Sequence, residues 1–177
     1  MSEYSIQVSN GKVVGDSIFY LSAVESLRKE YKRLENFTES LDKNPQQKKE
    51  QIAEYKCAKY RYASVSLIHS IIYNNNKCRT QSNIEYSHYI LKPFDELFKE
   101  CAEYLELYEA APADEKPDYS LYYALLIFIQ KELSNLEEKY QNSSDWEKVE
   151  LEERIGGLQF AKECLDEAWE RRKDVIV

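Results

Sequence analysis

Glycine and proline are scarce in this chain, four of each in 177 residues, and no glycine stands between Gly15 and Gly156. With so few punctuating residues, long stretches have nothing to turn them, which is the pattern of long helices. Paired metal-type cysteines are also missing. Cys57, Cys78, Cys101 and Cys164 form no C-x-x-C pair, so neither a zinc site nor a disulfide framework is signalled. Positive charge is not in excess: 24 Lys and Arg face 32 Asp and Glu, a net charge of −8 that argues against a nucleic-acid partner. The longest apolar run, YSLYYALLIFI at residues 119–129, falls short of the roughly 20 residues of a membrane span. The opening MSEYSIQVSN has neither the basic nor the apolar region of a secretory signal, and the expected compartment is the cytoplasm.

What is present is enough to fold. Hydrophobic residues make up 43% of the chain, and its length suits one domain spanning residues 1–177. Alternation at Tyr4, Ile6 and Val8, followed by Asn10-Gly11 and Val13-Val14, predicts a small β-hairpin appended over residues 1–15. Helical spacing of apolar residues then predicts five helices, over about 16–42, 45–73, 83–110, 118–140 and 144–173. Asn44 before Pro45 is a helix start, and Ser144-x-x-Glu147 is a capping box. Pro93 should kink or divide the third region. YNNNKCRTQSN, from Tyr73, reads as a polar loop. The expected fold is all-α, an up-and-down bundle of about five long helices.

Two acidic pairs, Glu147-x-x-Glu150 and Glu163-x-x-Asp166, flank Gly156-Gly157. The spacing resembles the E-x-x-E … E-x-x-D pattern of the all-α nucleoside triphosphate pyrophosphohydrolases, the MazG-like and dimeric dUTPase-like families. That resemblance implies four carboxylates from two helices holding Mg²⁺, which organises water attack on a nucleotide. The pairs can share a metal only if the glycines fold the helix back, because an unbroken helix holds Glu147 and Glu163 about 24 Å apart. The alternative is a solvated helix face, with the glycines marking a kink or a close helix contact. Phe160, Ala161, Cys164, Leu165, Ala168 and Trp169 form the apolar stripe of the same segment, opposite Glu163 and Asp166.

Histidine offers little chemistry. Glu85-x-x-His88 has the spacing of di-iron bundles, but no second such motif accompanies it. Tyrosine is abundant, fifteen in all. Tyr55, Tyr62 and His69 recur every seven residues with Tyr73 nearby, and Tyr104 and Tyr108 could widen the same surface. The stripe reads either as an interhelical seam or as a groove for a protein partner.

The expected function is a non-catalytic protein–protein interaction module, an adaptor, inhibitor or immunity-type binder, that presents this tyrosine face to a basic partner and needs no cofactor. The alternatives are the Mg²⁺-dependent pyrophosphohydrolase and a structural subunit of a larger assembly. Self-association fits any of them.

Overall fold

The computed structural model describes residues 7–9, 12–14, 18–81 and 101–172, with the side chains of 7–9, 12–14, 18, 74–81, 117 and 120 left aside. Gln7–Ser9 (β1) pairs antiparallel with Lys12–Val14 (β2), in the register Gln7 to Val14 and Ser9 to Lys12. The turn residues Asn10 and Gly11 lie outside the described residues. Six helices follow among the described residues: α1 (Ile18–Asp42), α2 (Pro45–Glu50), α3 (Ile52–Gln81), α4 (Ala102–Ala110), α5 (Lys116–Gln141) and α6 (Asp145–Arg171). Among the described residues, no helix is long and apolar enough to cross a membrane.

Six helices replace the expected five because the one predicted to start at Pro45 is two. Asn44 does cap it, its Oδ1 accepting from the Gln47 amide at 3.2 Å, with Pro45 in the first turn. At Gln51 the backbone leaves helical geometry, with φ −113° and ψ 35°, although its N–H still reaches the Gln47 carbonyl. The PQQKKE segment buries no side chain, so no apolar burial holds it in line with α3. A second correction concerns the polar loop expected after Tyr73, since α3 continues to Gln81. Asn, Lys, Arg and Gln are polar without being helix breakers, and the stretch contains neither glycine nor proline. The predicted third helix is described only as α4. Its earlier part, with Pro93 and the Glu85-x-x-His88 motif, lies outside the described residues.

The chain divides into two compact units. One comprises residues up to Val24, Ser70–Phe128 and Leu165 onward, and the other Glu25–His69 and Ile129–Cys164. The first is built on aromatics. Phe19, Tyr122 and Trp169 are buried together, with Tyr122 stacked on Trp169 at 4.4 Å and Phe19 meeting Trp169 edge-on at 5.3 Å. Such offset and edge contacts add about 0.5–1.5 kcal/mol beyond the area they bury. Tyr104 and Cys101 pack on Ala124 and Ile127 in the same unit.

The second unit is aliphatic. Leu27, Leu34 and Leu41 recur at seven-residue spacing on α1 and are all buried, as are Val65 and Ile68 on α3. Its contacts fix helix directions. Glu30 bonds Arg61 and Asp42 bonds Tyr55, so α1 and α3 run antiparallel. Tyr60 faces Arg154, and Ser64 faces Gly157, so α3 and α6 run parallel. Gly157 is a point of close approach. A Cβ there would meet Ser64 Cβ at 2.8 Å and the Arg61 carbonyl at 2.9 Å, and α6 passes through Gly156-Gly157 unbroken.

Candidate functional site

The tyrosine stripe of α3 is occupied by internal contacts. Tyr55 Oη donates to Asp42 Oδ1 at 2.8 Å, and the same oxygen takes Lys48 Nζ at 2.7 Å, a clamp joining the end of α1 to α2 and α3. These two bonds hold the Asp42 carboxyl below the usual carboxylate range, with Lys48 the larger cause. Tyr62 and His69 are half-buried and meet Tyr31 of α1 edge-on, at 6.2 and 4.8 Å. Burial, then the nearby Arg28, pushes the His69 imidazole below its ordinary value. Tyr55, Tyr62 and His69 thus line the seam between α1 and α3. Tyr73 belongs to the other unit and is 42% exposed. In that unit Tyr104 stacks on Tyr123 at 4.6 Å, and Tyr108 carries Lys116 above its ring at 5.1 Å. Tyr55, Tyr62 and His69 therefore share one seam, and Tyr73, Tyr104 and Tyr108 belong to the first unit.

The acidic pairs do not converge. Sixteen residues of continuous helix separate Glu147 from Glu163, a rise of about 24 Å. Sharing one metal required a break at Gly156-Gly157, and the close approach of Ser64 explains Gly157 without one. Each pair is also engaged locally. Glu147 accepts from both the amide and the hydroxyl of Ser144, at 3.0 and 2.7 Å, which holds its carboxyl below the usual range. Glu150 pairs with Arg154 at 2.9 Å. Glu163 is exposed, as the stripe reading placed it. Asp166 departs from that reading, because it accepts the buried Tyr122 hydroxyl at 2.7 Å. Burial, then this bond, pushes Tyr122 far above the ordinary phenol value. Among the described residues no three His, Cys, Asp or Glu side chains gather to hold a metal ion.

A different surface of the second unit is open. Trp146 is 75% exposed, Val149, three residues on, is 45% exposed, and Ile52 at the start of α3 is 43% exposed. The parallel register of α3 and α6 brings these three to one end. Burial, then the neighbouring Glu153, raises the Cys57 thiol, which places Cys57 level with Glu153. Five residues back on each helix, Ile52 falls level with the opening turns of α6. Sequence periodicity hid this surface. Trp146 precedes the buried Cys164 by eighteen residues, five whole turns, and so lies on the buried side of α6. It is nonetheless 75% exposed. The available signal was the tryptophan two residues after the capping serine, ahead of the continuous apolar stripe.

Beside this end lies a cleft of 1040 Å³ between the close of α5 and the opening of α6. Glu132, Glu138 and Lys139 line it from α5, and Glu147, Glu150 and Arg154 from α6. At 100° per residue Glu150 lies about 40° around the helix from Trp146, so the cleft wall and the apolar end adjoin. No family model, curated protein or solved structure significantly matches this chain.

Proposed function

We propose that this chain is a non-catalytic protein–protein interaction module, of adaptor, inhibitor or immunity type, whose docking surface is the Trp146, Val149 and Ile52 end of the second unit. The observation that carries this reading is a tryptophan left 75% in water. Tryptophan loses more than other side chains by remaining solvated, and it is enriched among the few residues that dominate binding interfaces. Val149, one turn along on α6, is exposed beside it, and Ile52 is exposed at the same level on α3. The tyrosines of α3 take a supporting part, since their seam against α1 keeps the helices rigid beneath the surface.

The test uses the immobilised wild-type chain and a Trp146→Ala, Val149→Ser variant to capture proteins from native extract. Each captured protein is then purified and titrated against both. The reading expects a partner whose affinity falls at least tenfold in the variant, with an unchanged melting temperature. Equal capture and equal affinity by the two forms would contradict it.

A further inference from the structure

We infer that the occupant of this end is a lysine- or arginine-rich segment of a different protein, its apolar side chains covering Trp146 and Val149 and its cations entering the glutamate-lined cleft. The inference rests on the interaction-module reading and names the partner's chemistry. Three observations support it. The first is charge: Asp145, Glu147, Glu150, Glu152 and Glu153 follow one another along the opening turns of α6 that carry the exposed tryptophan, against Lys148 and Arg154; Arg154 is already paired with Glu150, and Glu152 accepts from the Tyr140 hydroxyl. Across the cleft Glu132 and Glu138 face the space together with Lys139, so the lining of four glutamates, Lys139 and Arg154 keeps an acidic excess. An anionic rim around an apolar centre complements a cationic rim around an apolar centre.

The second observation is the spread of the carboxylates. They line a 1040 Å³ space without three of them converging on one point. A small metal ion needs convergent ligands, whereas several ammonium or guanidinium groups along a segment need dispersed ones. The third bears on a second copy of this chain as the occupant. In a two-fold dimer the same patch meets itself, and here that would set one acidic rim against another.

The experiment is a fluorescence titration of the full chain with three labelled peptides of equal length: a lysine/leucine helix, its glutamate/leucine counterpart, and oligolysine. Three variants accompany the wild type. Glu132→Gln with Glu138→Gln neutralises the α5 wall of the cleft, Trp146→Ser with Val149→Ser removes the apolar centre, and Glu25→Gln with Glu39→Gln is a charge-matched control on the exposed side of α1. The lysine/leucine peptide should bind at least tenfold more tightly than either other peptide. The cleft variant should weaken it about tenfold and reduce its salt dependence, while the control stays within twofold. Equal weakening by control and cleft variants would overturn the inference, as would equal binding of the glutamate/leucine peptide. If the apolar variant loses both leucine peptides while the cleft variant loses neither, the docking surface stands and the basic occupant falls. If the apolar variant loses nothing, the docking surface itself falls.

Discussion

At the residue scale, His69 is the side chain whose environment gives a pH dependence near neutrality. Folding half-buries it against Tyr31 and holds its pKa below the usual 6.5, so the native state favours the neutral ring. Between the lowered folded value and 6.5 the unfolded chain binds more protons than the folded one. His69 therefore contributes stability above pH 6.5 that is lost as pH falls towards the folded value. Melting temperatures from pH 7.5 to 5 should decline more steeply for the wild type than for His69→Gln, and parallel curves would contradict this. Tyr122 allows a second test. Tyr122→Phe keeps the ring on Trp169 and deletes the hydroxyl bonded to Asp166, so urea unfolding should show a loss of about 1–2 kcal/mol. The apolar stripe of α6 was legible in spacing alone. The Tyr122–Asp166 bond was not, because its partners lie 44 residues apart and only the folded chain brings them together.

At the scale of elements, two adjacent glycines on one helix should respond oppositely to the same change. Gly157→Ala thrusts a methyl against Ser64 Cβ and the Arg61 carbonyl, and a backbone atom cannot step aside without moving α3. The expected cost is about 1–3 kcal/mol. At Gly156 the nearest atom is the end of the Arg61 side chain at 3.5 Å, ordinary contact distance. Gly156→Ala should then stabilise the chain by up to about 1 kcal/mol through helix propensity. Denaturant midpoints of the two variants check the contrast, and a shared direction would contradict it. The sequence raised a break and a close contact as competing explanations of these glycines. Deciding between them required the identity of the opposing residue, which local patterning does not contain. Helix type and most helix starts were readable because caps and apolar spacing are local signals, as at Asn44-Pro45. The interruption at Gln51 was not, because a turn that buries no side chain leaves no periodicity to break.

At the scale of the whole molecule, stability and recognition are separable. The buried aliphatic residues of the second unit and the aromatic cluster of the first hold the fold, and Leu27→Ala should cost about 2–5 kcal/mol. Trp146→Ala should change unfolding free energy by no more than about 0.5 kcal/mol, because the side chain is mostly in water in both states. Its loss should be felt in binding, where a central tryptophan is worth about 2 kcal/mol or more, roughly thirtyfold in affinity. The candidate tyrosines were legible as a stripe but not as a seam, since tyrosine serves both interiors and interfaces equally well. The exposed tryptophan was missed because its phase on α6 is that of a buried residue.

The most direct measurement is site-specific photo-crosslinking in native extract. A photoreactive side chain at residue 146 is compared with one at residue 39, which is exposed on α1 of the same unit. A docking surface predicts a discrete partner cross-linked from residue 146, absent from residue 39, and lost when Val149→Asp is added. The same products from both positions, or products that survive the added aspartate, would show that the apolar end is not where this chain meets its partner.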